Sequence, residues 1–172
     1  MYKFSRNSTV GNFLGFAPTL ILLISVLNEF DLNYINIKYF SFNFPYILIF
    51  YWTLKKNEGL GFGWVFISGI INDVILGMPL GISSLAYLLI CGFARYLRNI
   101  TLRSNLIKDW LFFSITILIV NSFIYLLLFL FFSLSLDYSY LLINLLFTIL
   151  FYVLFASIFK FYLRNVMGNS DD

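Results

Sequence analysis

Residues 111–135 read LFFSITILIVNSFIYLLLFLFFSLS, twenty-five positions with no charged side chain among them. As a helix rising 1.5 Å per residue this run is about 37 Å long, more than the roughly 30 Å of hydrocarbon in a bilayer. Alternation with period two, the mark of a half-buried strand, is absent. The reading it forces is a transmembrane helix. The rest of the 172-residue chain agrees, being 61% hydrophobic and 11% charged with a mean hydropathy of +0.91. A soluble domain carries roughly 25% charged residues to wet its surface. With 11 Lys+Arg and 8 Asp+Glu, a water-soluble globule and a disordered chain are both excluded. An all-α integral membrane protein with little mass outside the bilayer remains.

Scanning outward for further apolar runs predicts spans at 13–28, 39–54, 60–77, 81–97, 111–135 and 138–159, a single membrane domain of six helices with short loops. Lys3 and Arg6 precede the first run, but no small-residue cleavage site follows Leu27, so it reads as a retained helix. The second run is the weakest, because Pro45 falls inside it and a mid-helix proline removes a hydrogen bond. If that segment does not cross, the bundle has five spans.

Cytoplasmic loops collect Lys and Arg. Six spans with both termini inside place Lys3, Arg6, Lys55, Lys56, Arg95, Arg98, Arg103, Lys108, Lys160 and Arg164 on the inner side, and Lys38 alone outside. Five spans with the N-terminus outside score almost as well. Both give the last four helices one direction and a cytoplasmic C-terminus. Trp52, Trp64, Trp110, Tyr96 and Tyr162 cluster at the predicted inner boundary, as amphipathic rings do at headgroup level.

Several chemistries drop out. Histidine is absent and Cys91 is the single cysteine, which removes the usual general base, the commonest metal ligand and any internal disulfide. No cofactor, metal site or nucleic-acid partner is expected; the basic surplus sets orientation and meets anionic lipid. Arg95, Arg98, Arg103 and Lys108 are expected to form a basic cytoplasmic loop.

One stretch departs from generic Phe/Leu/Ile hydrocarbon: Gly69-Ile-Ile-Asn-Asp73-Val-Ile-Leu-Gly77-Met-Pro79-Leu-Gly81. Gly69, Asp73 and Gly77 recur every four residues and share a helix face, where small residues let a second backbone approach. Asp73 is the only acid deep in a predicted span, so it should face protein rather than lipid. It is either a proton or substrate site, or a buried acid that fixes packing and the turn. The second weighs more, since a pump would carry further ionisable groups at membrane depth. Gly77-Met-Pro79-Leu-Gly81 reads as a tight outer turn. Asn121, Asn144 and Thr148 read as polar glue between helices, and Ser25, Asn28 and Asn144 lie at the depth of Asp73.

This stretch resembles the bacterial rod shape-determining protein MreD family, whose pattern here is Gly-Leu-x-x-Asp-x-x-x-Gly-x-Pro-Leu-Gly. Gly69, Asp73, Gly77, Pro79, Leu80 and Gly81 match it, with Ile70 in place of Leu. The run Pro45–Trp52 is similar to the family's second helix. The resemblance implies a non-enzymatic inner-membrane component of the cell-elongation machinery. It would work with an MreC-like membrane protein, the actin-like MreB filament and a polymerase–transpeptidase pair building side-wall peptidoglycan. The alternative is a vitamin-type substrate-binding subunit of a membrane importer, which a proline-broken helix and a buried acid also suit.

Overall fold

The computed structural model describes residues 8–27, 41–55, 60–100, 105–132 and 138–166. Among them all regular structure is helical: α1 (Ser8–Leu27), α2 (Phe44–Lys55), α3 (Phe62–Leu76), α4 (Ile82–Ile100), α5 (Leu106–Phe132) and α6 (Tyr138–Val166). Each outer helix packs on the next in the order α1, α3, α4, α5, α6, and α2 lies inside this arc against α1, α4 and α6.

The sequence of α2 explains its central place. Phe44 and every residue from Ile47 to Leu54 are buried, and a helix apolar on all sides is a core helix. Aromatic rings fix its neighbours. Phe50 meets Phe113 of α5 edge-on at 5.2 Å, and Trp52 meets Phe159 of α6 at 5.8 Å. Behind them Phe113 and Tyr152 stack at 4.2 Å.

The predicted span at 39–54 is corrected. The helix is 12 residues long, about 18 Å and short of the bilayer core. Pro45 lies in its first turn, where the missing N–H has no intrahelical partner to lose. Residues 41–43 are not helical, and backbone that leaves a helix at membrane depth must be satisfied by protein. Helix α6 does this. The Asn43 backbone N–H donates to Thr148 Oγ1 at 3.0 Å, Asn43 Nδ2 donates to Asn144 Oδ1 at 2.9 Å, and the Asn144 amide donates to Ser41 Oγ. Asn144 and Thr148 thus hold a chain entry in place.

Helix α5 and the stretch Leu141–Leu163 of α6 are each long and apolar enough to cross a membrane; Ala17–Leu27 and α3 are shorter apolar helices. Outward-facing positions on α5 and α6, such as Leu126, Phe129, Leu146 and Leu150, are large and apolar, as a lipid-facing surface requires. Helix α5 starts five residues before the predicted span, at Leu106 rather than at 111, because an apolar window stops at Lys108 and Asp109 whereas a helix does not.

Candidate functional site in the hairpin of α3 and α4

Helix α3 ends where Gly77 enters the left-handed region, φ 63°, with its N–H donating to the Asp73 carbonyl. The Met78 N–H donates to the same carbonyl at 2.9 Å, so one oxygen closes the helix end. The chain then turns through Pro79 and through Gly81, at φ 100°, into α4.

The side chain of Asp73 reaches across this turn. Its Oδ2 accepts from the Gly81 N–H at 2.7 Å and its Oδ1 accepts from the Ser83 N–H at 2.8 Å. Those N–H groups are the orphan donors at the start of α4, and a carboxylate there also meets the positive end of the helix dipole. Asp73 therefore terminates α3 with its main chain and caps α4 with its side chain. It is 0% exposed, so these bonds stand in for the water that a buried carboxylate has lost.

Two further contacts lock the pair. Asn72 Nδ2 donates to Ser83 Oγ at 2.9 Å, and Ser84 Oγ donates to the Phe66 carbonyl at 3.0 Å. Gly69 supplies the close approach: a Cβ there would fall 2.3 Å from Ser84 Cα. The residues singled out in the sequence thus come together as one clasp. Its partners are backbone amides eight and ten residues along the chain. Ser25 and Asn144 at similar depth bond elsewhere, Ser25 to the Leu22 carbonyl and Asn144 to Asn43, while Asn28 lies outside the described residues.

Three of the four basic residues expected in a loop lie on helices. Arg95 and Arg98 lie on the last turns of α4 and Lys108 in the first turn of α5; Arg103 lies outside the described residues. Cations suit a helix C-terminus, and long side chains there run along apolar surface while the head stays wet. The Arg95 guanidinium lies 3.7 Å above the Phe62 ring, and Arg98 Nη1 donates to the Thr53 carbonyl at 3.4 Å. Arg98 therefore ties the end of α4 to α2.

A second polar contact was not legible. Lys55 Nζ lies 2.7 Å from Asp109 Oδ2, with side chains 27% and 7% exposed, joining the end of α2 to the start of α5. Its one sequence signal is an acid in a helix's first turn. Among the described residues no group of three His, Cys, Asp or Glu side chains could hold a metal ion.

No curated protein and no solved structure matches the chain. Residues 10–167, which enclose the whole clasp, match the family of rod shape-determining protein MreD. The chain belongs to the MreD family, a family of shape-determining components, and its role is in rod shape determination.

Proposed function

We propose that this protein is a non-enzymatic scaffold of the bacterial inner membrane within the machinery that elongates the side wall. Its helical bundle, with a cytoplasmic C-terminus, binds the transmembrane helix of an MreC-like partner. Through that partner it serves the actin-like MreB filament and the polymerase–transpeptidase pair that makes peptidoglycan. The family match assigns rod shape, and one observation carries the scaffold reading. The only acid deep in the hairpin spends both carboxylate oxygens on the backbone of α4, so it shapes a helix pair and has no spare role as a reactive group. In this reading Gly69, Asp73, Gly77, Pro79 and Gly81 set the angle between α3 and α4, and the basic inner ends of α4 and α5 meet anionic lipid headgroups, worth about 1 kcal/mol per charge.

Complementation of a rod-shaped bacterium depleted of its own MreD tests the proposal. The wild-type chain should restore rods. Asp73→Leu should give round cells while the protein still reaches the membrane in wild-type amount, and should lose co-purification of the MreC-like partner. Rods of normal width with Asp73→Leu at wild-type level would refute the role given to the clasp.

A further inference from the structure

Arg95 is a charge that the fold leaves without a counter-charge. Its guanidinium lies 3.7 Å above the ring of Phe62, and among the described residues no ion pair joins it to an acid. Its Nε is buried with no hydrogen-bond partner, whereas its two terminal amino groups are not among the buried orphans. Those amino groups are the part of the fork that a group from outside can reach. Two parallel N–H donors on a planar cation match two oxygens of one phosphate.

Phe62 is the first residue of α3, and that helix adds positive potential at the same place. Its N-cap is Gly61, with no side-chain bond to the helix, and no acid lies in its first turn. The first bond of the helix runs from the Val65 N–H to the Gly61 carbonyl, so the N–H groups of Phe62, Gly63 and Trp64 have no partner within it. Residues 61–64 are exposed, and a Cβ on Gly63 would meet nothing within 4 Å. A guanidinium beside the positive end of a helix dipole is repelled by it unless an anion answers both.

We infer that Arg95 and the start of α3 together bind the phosphate of one anionic phospholipid. Charge complementarity calls for an anion, and the surroundings call for a lipid. Phe62 and Phe66 are one helical turn apart and both exposed, a track for an acyl chain running down from the phosphate. Trp64 and Tyr96 are exposed as well, amphipathic rings of the kind that settle at headgroup level. A free phosphate would use the donors and leave this apolar track uncovered. The inference deepens the proposed contact between the inner end of α4 and anionic headgroups, and rests on that reading for the choice of leaflet alone.

Native mass spectrometry of the full-length protein in mild detergent, titrated with phosphatidylglycerol or phosphatidylcholine, tests it independently of cell shape. One phosphatidylglycerol should bind in preference to phosphatidylcholine, and inorganic phosphate should not displace it. Arg95→Gln should weaken phosphatidylglycerol about tenfold, the weight of one charge-assisted contact, with Arg95→Lys in between because it keeps the charge without the fork. Lys160→Gln, which removes an exposed cation of α6, should weaken it by no more than about twofold, as expected for a screened remote charge. Gly63→Glu gives the first turn of α3 a carboxylate of its own, in open space and where the dipole favours it. It should expel the lipid while Gly63→Gln retains it, which decides the matter even if Arg95→Gln folds poorly. Protection of buried Cys91 from a maleimide reports that each variant is folded. Equal binding of the two lipids, equal losses at Arg95 and Lys160, displacement by inorganic phosphate, or equal effects of Glu and Gln at position 63 would each overturn the inference.

Discussion

The α3–α4 hairpin and the α2–α5–α6 side of the bundle solve the same problem, polar groups in a dry interior, in opposite ways. In the hairpin the contacts are local. Asp73, Asn72 and Ser84 find their partners 8 to 18 residues away, and Gly69 removes the one Cβ that would hold the backbones apart. Across the rest of the core the contacts are remote: Asn43 bonds a residue 101 positions on and Lys55 one 54 positions on. Local contacts leave a dense motif in the sequence. Remote ones leave single polar residues that look like noise in an apolar run. The two regions should also respond differently to substitution, the hairpin through geometry and the remainder through electrostatics and hydrogen bonding.

The largest effect is expected at Gly69. The atom that its Cβ would meet is backbone, Ser84 Cα at 2.3 Å, which cannot swing aside as a side chain would. Gly69→Val must part the helices and pull Asp73 away from the amides it caps. A destabilisation above about 3 kcal/mol is expected, at the upper end for overpacking. Cys91 reports it: the single cysteine, fully buried between α4 and α2, reacts with a maleimide only when the core opens. The labelling midpoint in detergent should fall sharply for Gly69→Val. Gly92→Val, also on a helix but with nothing within 4 Å of its would-be Cβ, should lie near wild type. Equal shifts for the two would mean that close approach is not what the glycine supplies.

Next comes the ion pair at the inner end. Asp109 is 7% exposed at its side chain and Lys55 27%, so Lys55→Met removes a cation from beside a nearly buried carboxylate. Breaking a buried pair costs about 3–5 kcal/mol, and partial exposure of the lysine puts the value here at the low end. The double variant Lys55→Met/Asp109→Leu should recover part of the loss, because neither half of this ion pair is left facing an apolar side chain. The same Cys91 assay reads both. A double variant as unstable as the single one would show that the pair supplies more than charge neutralisation.

How much of this was legible follows from the same contrast. The runs that became α5 and α6 stand out because each is long and apolar enough to cross a membrane, and the Gly69–Gly81 motif stands out because glycine, acid and proline are rare in such runs. The role of Asp73 was harder to read, since a residue of one helix capping the next shows no Ser, Thr or Asp at the usual position before Ile82. Asp109 was hidden by the hydropathy window that began at Leu111, and the fate of Pro45 depended on where α2 starts, which its contacts with α6 decide.

A smaller effect is expected where α6 holds the entry to α2. Asn144→Ala removes the acceptor for Asn43 and the donor to Ser41, while the bond from the Asn43 backbone to Thr148 survives. Interhelical hydrogen bonds in membranes average about 0.6 kcal/mol and reach about 1.7, so a loss of about 1 kcal/mol is expected. Thr148→Val, which orphans a backbone N–H instead, should cost at least as much. The reverse order would mean that the carboxamide pair, not the backbone bond, anchors the segment.

The smallest effect separates conformation from crowding within the hairpin itself. Gly77 sits at φ 63° with open space where a Cβ would go, so Gly77→Ala meets no neighbour and pays only for the left-handed backbone, about 1 kcal/mol. Asn tolerates that region better than Ala, so Gly77→Asn should fall between Ala and wild type in the Cys91 midpoint. Gly69 has the opposite profile, with ordinary helical backbone and no room, and there every larger side chain should do harm in proportion to its bulk. If Gly77→Asn were as damaging as Gly69→Val, the turn would be making a contact at Gly77 that its open surroundings do not show, and the division of labour between the two glycines would fail.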